Sequence, residues 1–510
     1  VVLSNGLRVL FKRTDLFDDE ILLRGQRWGG LSEYQHRGLL RGGAVSCEAQ
    51  ASTTVAMMLG ICGLPVESMQ ECLDGHRVDA NPPEFGPYTT GVDASCSPAD
   101  LETMLTVSHL LFRCPVEPQS KSRGRLSLVK LALLASWYSE RRDPESLYQK
   151  RVLECISQGH QFHKSPSLWS ILRLNFRKAA DIFNERISLP REWTLALVGK
   201  LPQDAVLIPL LEKFLGSIPN EDRRLPSLRN RGGPLEEGFD ELKARENITP
   251  VSVMFPPRSK KENVYLRMVE PQGNTTICFP INMGVTAKVS DPGSCPAEVA
   301  KLHRVHLVVR LLEMKLVQVL RFQRGQVYSV SVSEDFSLSP PQLGVPRSGT
   351  LAVTFSSNPQ EADELIQATF KEIQRLRTEK DAIAESDINS VKEQERRELE
   401  ELFRKNSFWA DILMEFRFSR HAVVLGDLGA AVAMWWKTKR ETNEAFSAEI
   451  ACATLKELMP EDASHAVITM RPRMTWLWNM PLFRQFLRPA TVARTVPIGG
   501  ASQPEEALAE

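Results

Sequence analysis

The order of strands and helices along the chain predicts an α+β protein built as two tandem copies of one mixed domain. Three observations carry that reading. At 510 residues the chain is too long for a single ordinary core. Hydrophobic content of 42% and charged content of 25% are those of a globular protein, and no apolar run reaches the length of a bilayer span. A polar stretch containing RRLPSLRNRGGPLEEG divides the chain, and the same succession of elements lies on either side of it.

In the first half, Leu7–Lys12 and Glu20–Trp28 read as strands joined through the turn DLFDDE and closed by Gly29-Gly30. Gln35–Gln50, rich in Gly and Arg and without a period, reads as a loop insertion. Thr54–Cys62 and Pro65–Leu73 are helical, and Tyr88–Ser95 is a strand. Ser97-Pro98 then opens a helix with an N-cap serine and a first-turn proline. Helices over Leu126–Arg141, Pro144–Gln158 and Phe176–Ile187, the strand Glu192–Gly199 and a helix ending at Leu215–Pro219 complete this half. The domain limits so predicted are 1–219 and 249–473, with 220–248 as linker and 474–510 as a partly disordered tail.

The second half repeats the plan, with strands at Asn263–Val269 and Thr275–Ile281 before the stretch Val299–Ser333, a long helix followed by a glycine stop and a strand. There Leu302, Val305, Val309, Leu312, Leu316 and Val319 share one helical face, and Gly325 ends the helix. In the strand that follows, Tyr328, Val330 and Val332 alternate with Ser329, Ser331 and Ser333. Gly349–Ser356 is a strand running into Asn358-Pro359, which opens the next helix. Ala384–Lys405, a charged and solvated helix, Phe446–Met459 and the strand Ala466–Met470 finish the copy. The apolar tail segment Met474–Leu487 is expected to dock on the protein.

Lys+Arg and Asp+Glu are equal at 63 each, so no global field points to nucleic acid or an anionic membrane. Nine cysteines without a Cys-x-x-Cys pair argue against a zinc ribbon or a disulfide framework and fit an intracellular reducing compartment. His303, His306 and Glu313 fall within about 80° of one helical face, a ligand-like spacing, but no glutamate base adjoins them as in His-Glu-x-x-His. His160 and His163 are a weaker version in a turn. No Gly-x-Ser-x-Gly elbow or phosphate loop occurs. Arg321 and Tyr328 flank the glycine turn seven positions apart, where a guanidinium and a phenol can face a bound chain. Their spacing alone is equally that of a cation at a helix C-terminus and an ordinary strand aromatic.

Several stretches, in order, carry a family likeness: LSNGLRVLFKRTD, RWGGLSE, STTVAMMLGICGL, SCSPADLETMLTV, RRDPESLYQKRVLECISQGH, LALVGKLPQDAV and LRFQRGQVYSVSVS. Together they resemble the C-terminal, non-catalytic half of the insulinase/pitrilysin-type zinc metallopeptidases, the inverzincins, most closely the plant and algal members. The resemblance implies two α/β-roll domains of metallopeptidase type and a role in binding unfolded peptide for proteolysis. It further implies that Arg321 and Tyr328 reach the substrate beside zinc. The family's His-x-x-Glu-His zinc motif has no counterpart, since the equivalent place carries YQHRGLL. The expectation is therefore no catalytic or metal residue in this chain and no peptidase activity on its own. Zinc would belong to the intact enzyme, and a catalytic half, upstream or on another chain, would be the partner. The alternative is a catalytically inactive scaffold or core subunit of a larger complex.

Overall fold

Strand β6 (Thr194–Gly199) shows why the first half folds as it does. All six of its residues, TLALVG, are buried, as expected of a strand covered on both faces. It runs parallel to β1 (Arg8–Arg13) on one side and antiparallel to β2 (Ile21–Trp28) on the other. The two N-terminal strands are thus separated by β6 rather than paired through DLFDDE. The computed structural model describes residues 1–34, 46–60, 62, 64, 66–117, 123–160, 165–221, 255–268, 273–282, 294–323, 327–336, 348–418 and 426–473. All but two residues of the predicted linker, and all of the tail, lie outside that set.

The first sheet continues with β3 (Val78–Ala80), β4 (Glu84–Phe85) and β5 (Thr89–Cys96), in the order β1-β6-β2-β5-β3, with β4 also on β5. Its helices are α1 (Cys47–Gln50), α2 (Ser52–Leu59), α3 (Val66–Leu73), α4 (Leu101–Arg113), α5 (Arg123–Glu140), α6 (Pro144–Ile156), α7 (Leu168–Leu172), α8 (Phe176–Ile187) and α9 (Asp204–Leu211). The end of the predicted loop insertion is helical, because Ser46 caps α1 by accepting the Ala49 N–H at 3.1 Å. Residues 35–45 of that insertion lie outside the described set. Ser97 does not cap in the predicted way: its hydroxyl donates to the Asp100 carboxylate at 2.7 Å, and a 3₁₀ turn over Pro98–Asp100 precedes α4.

The second sheet has the order β7-β11-β8-β10-β9, from β7 (Lys260–Leu266), β8 (Gly273–Asn282), β9 (Val327–Asp335), β10 (Ser348–Ser357) and β11 (Ala466–Pro472). Again the first and last strands are parallel and the last pairs antiparallel with the second. The helices are α10 (Ser294–Leu316), continued by a π-helical stretch over Val317–Gln323, then α11 (Ala362–Thr378), α12 (Glu385–Leu402), α13 (Asn406–Phe418), α14 (Leu428–Ala445) and α15 (Ala448–Leu458). Helices α7, α13 and α14 and strands β3 and β4 have no counterpart in the sequence reading.

The two units share more than element order. Leu195 and Leu197 of β6 point into the first unit's own helical core, while Ala196 faces α13 of the second unit with Trp28, Tyr88, Met414 and Phe418. In mirror fashion, Val467 of β11 joins the second unit's core, while Ala466, Ile468 and Met470 face Tyr148, Val152 and Cys155 of α6. Each unit therefore lends one helix to cover the open face of the other's sheet, and α6 and α13 hold the same position in the two chain orders. Polar pairs follow the exchange. The Tyr148 hydroxyl lies 2.8 Å from Thr276 Oγ1 and 3.0 Å from the Ile468 carbonyl, Arg151 pairs with Glu262, and Arg24 reaches Asp411 at 3.4 Å.

Cys62 and Cys114 form a disulfide with a Cα–Cα distance of 5.1 Å. The sequence reading argued against a disulfide framework and named no bridge, so this single pair is an addition to it. The two lie 52 residues apart in sequence, and only folding brings the ends of α2 and α4 together, so spacing could not show the pair.

Candidate peptide-binding edge

Helix α10 positions the candidate residues. Its apolar face, including Val305, Val309, Leu312 and Leu316, is buried in the second core, and the π-helical stretch carries Arg321 out to solvent. Strand β9 returns along it as the outer strand of the sheet. Opposite β10, Ser356 pairs with Ser329 and Ser357 with Val327, so Tyr328 is the extra residue of a β-bulge. The bulge turns the phenol outward, where Tyr328 is 76% exposed while Val332 of the same strand is buried. The alternation read from the sequence breaks at this residue. The structure thus places Arg321, on the π-helical stretch, and Tyr328, on β9, on the exposed surface rather than within the core.

Two carboxylates brace this strand against α10. Glu313 accepts the Val332 N–H at 2.9 Å, and Glu334 lies 2.6 Å from His306 Nδ1. His303, His306 and Glu313 therefore do not converge as ligands. His306 lies between Glu334 and Glu395, whose Oε2 is 3.2 Å from Nε2. Burial disfavours its charged form, but hydrogen bonds to Glu334 and Glu395 outweigh burial and raise the imidazolium's pKa to about 9. With Nε2 protonated, the 2.9 Å approach of Arg310 Nε is two cations sharing one carboxylate rather than a hydrogen bond. Burial likewise opposes charge on Glu395, yet His306 and Lys439 bring it down to about 2. His303 is 2% exposed, its Nδ1 lies 3.8 Å from Glu395 Oε1, and neither ring nitrogen has a hydrogen-bond partner among the described residues. Burial, with Lys439 nearby, lowers its pKa to about 3, so the ring is neutral.

This cluster does not fit a metal ion. Both nitrogens of His306 are taken by carboxylates, Arg310 and Lys439 supply positive charge, and among the described residues no group of three or more His, Cys, Asp or Glu side chains is arranged to hold a cation. The YQHRGLL stretch lies, after Tyr34, outside the described residues, as does His163. Beside Tyr34 stands a buried network: its hydroxyl lies 2.6 Å from Glu185 Oε2 and 2.6 Å from Arg186 Nε, and Arg186 Nη1 is 2.6 Å from Glu33. Sequence reasoning missed this network, the Glu334–His306–Glu395 chain and a cavity of about 690 Å³ bordered by Met57, Met69, Leu73, Val78, Val107 and Leu111. Glu395 lies some ninety positions from His306, and no periodicity connects them.

Comparison with known proteins agrees with the likeness in the sequence. Residues 183–395, from α8 of the first unit to α12 of the second, match the model of the peptidase M16 inactive domain. A zinc protease PQQL-like protein of Arabidopsis thaliana is 28% identical over 477 residues, covering 93% of this chain and 43% of that protein. The chain thus spans less than half the length of this curated relative. The periplasmic protease PqqL of Escherichia coli superposes with a TM-score of 0.65 at 14% identity, over 92% of this chain and 45% of the other. A peptidase M16 inactive domain from Pseudomonas fluorescens gives a TM-score of 0.63 at 13% identity, over 93% and 98% of the two chains. With the duplicated α+β architecture, these matches show a peptidase M16 inactive domain over residues 183–395, a likeness of nearly the whole chain to a zinc protease-like protein, and the fold of M16 peptidases.

Proposed function

We propose that this chain is the substrate-binding, non-catalytic half of a zinc-dependent metalloendopeptidase, with Arg321 and Tyr328 on a wall that holds unfolded peptide. The observation that supports it is the bulge that turns the Tyr328 phenol into solvent at the outer strand, with exposed Arg321 seven residues earlier. Bulges beside binding sites re-aim single side chains in this way. A guanidinium and a phenol both donate hydrogen bonds, so together they can hold and polarise a peptide carbonyl. Zinc, in this reading, is supplied by the partner catalytic half, and this chain alone does not cleave peptides. Residues 1–219 and 249–473 are the two domains we propose, each built around one of the two sheets.

The test is reconstitution with the cognate catalytic half and a fluorogenic peptide. Full activity is expected only with both halves, and Arg321→Ala or Tyr328→Phe should lower kcat/KM by about 10²–10³ with unchanged circular dichroism. Chelator-sensitive cleavage by this chain alone would overturn the reading. Equal activity of wild type and both variants would leave the inactive scaffold as the better account.

A further inference from the structure

Helices α5 and α12 occupy equivalent places in the two units but present opposite surfaces. The outward face of α12 carries Gln394, Arg396, Arg397, Glu400 and Glu401. That of α5 carries Leu128, Leu131, Ala132, Ala135 and Tyr138, interspersed with Ser127, Ser136 and Ser139; Leu128 is 53%, Leu131 62% and Tyr138 51% exposed, and the Arg142 guanidinium lies 4.1 Å from the centroid of the Tyr138 ring. Between Arg125 and Glu140 its one charged residue is Lys130, whose ammonium is turned aside to the Leu172 carbonyl at 3.1 Å. Helix α7 packs on α5 and extends the bare face with Trp169, 69% exposed, and Leu172. Leu128 to Tyr138 spans about 15 Å of helix. An apolar strip of this kind beside a charged equivalent marks a covered surface.

We propose that the chain's own segment Met474–Leu487 covers it. Nine of the fourteen residues in that segment are Met, Trp, Leu or Phe, and none is acidic. The position of the end of β11 supports the assignment. Strand β11 stops at Pro472, and the Arg473 N–H donates to the Leu266 carbonyl at 2.7 Å. Next to this end of β11, Asn274 Nδ2 donates to Glu145 in the first turn of α6 at 2.6 Å. The N-cap of α6, Asp143, follows the last residue of α5, Glu140, by three positions. The chain thus leaves the second sheet beside the α5–α6 corner, at the Tyr138 end of the bare strip. The inference is independent of the peptide-wall reading.

Benzoylphenylalanine placed at position 138 of the full chain, irradiated and peptide-mapped, tests it. The expected adduct lies within 474–487 of the same molecule, shown by the absence of mixed-isotope adducts when labelled and unlabelled chains are combined. Leu131→Asp should lower its yield at least tenfold, and the same probe at position 397 on α12 should give no tail adduct. Adducts joining two copies, adducts elsewhere in the chain, no adduct within the chain, or a yield that survives Leu131→Asp would overturn the proposal.

Discussion

The two units of this chain have one scaffold and two sets of attachments. In both, the last strand lies between the first two, and one helix crosses to the neighbour's sheet. Yet where the second unit has the 23-residue α10 and the nine-residue edge strand β9, the first has three short helices and a three-residue β3. The second thereby gains a long helix and an edge strand that exposes a tyrosine, and the first gains a cavity and a disulfide. What is common to both is the buried sheet and its exchanged helix; what differs lies along the outer edge beyond it. The lesson is that the duplicated parts support the fold, and the unmatched parts are where a function is to be sought.

The largest effect is expected where the units are alike. Tyr148 is fully buried at the exchange, so Tyr148→Ala should cost about 3–5 kcal/mol, as for other large aromatic truncations. Tyr148→Phe should cost only about 1 kcal/mol for the lost hydrogen bonds. Phe418, 5.5 Å from Trp28 between ring centroids, is its counterpart, and Phe418→Ala should cost a similar amount. Urea unfolding with amide exchange at β6 and β11 measures both. If each variant loosens only one sheet, the exchange is not cooperative and the two units are less alike than their topology.

The disulfide should separate the units next. Cys62–Cys114 closes a long loop in the first unit, and its loss should cost about 2–4 kcal/mol. Thermal unfolding of the double variant Cys62→Ser/Cys114→Ser should show this loss, with exchange rising at α2 and α4 but not at β8 or β10. An equal rise in the second sheet would mean that the bond stabilises the whole molecule through the exchanged helices.

Much of the scaffold was legible in the sequence because it rests on local signals. Asp143-Pro144 begins α6, the Asp143 carboxylate accepting the Ser146 N–H at 2.9 Å, and the apolar period of α10 faces the core as read. The repeated plan also emerged, since each copy keeps its own strand–helix order. The elements passed over, α13 and α14, bury part of their surface against other elements, so their composition follows tertiary context rather than a clean amphipathic period. Strand pairing was illegible for the same reason: β6 reaches β1 only through the fold. At the candidate edge, Arg321 and Tyr328 could be singled out by spacing and likeness. The bulge could not, because a one-residue register shift leaves no mark in one strand's sequence alone.

A smaller effect should distinguish the helix braces at β9. His306 faces Glu334, Glu395 and Arg310, with His303, Lys439 and Glu398 around them. Its pKa is raised from an unfolded value of about 6.5 to about 9. The stabilisation it brings is complete below pH about 6.5 and is lost as pH rises through about 9. Glu395, lowered to about 2, has the opposite sense: its share is present above about 4.3 and lost as pH falls through about 2. Since the His306 side chain is 32% exposed, its alkaline loss should be only about 1–2 kcal/mol after solvent screening. Urea midpoints at pH 6, 8 and 9 should fall in the wild type more than in His306→Gln; parallel curves would place the alkaline titration elsewhere.

The smallest change compares the buried polar groups of the two units. In the first, Arg186 is 2% exposed and fully engaged by Tyr34, Glu33 and Glu185. In the second, His303 is equally buried and neither nitrogen is hydrogen-bonded among the described residues. An unsatisfied buried polar group destabilises, and replacing it by an apolar side chain of similar size removes that penalty. His303→Leu should therefore be neutral or stabilise by about 1 kcal/mol, whereas removing Arg186 would strand the carboxylates around it and destabilise. The sign is what matters in the comparison. A clear loss of stability in His303→Leu, read from urea midpoints at pH 7, would show that the imidazole is hydrogen-bonded in the folded protein.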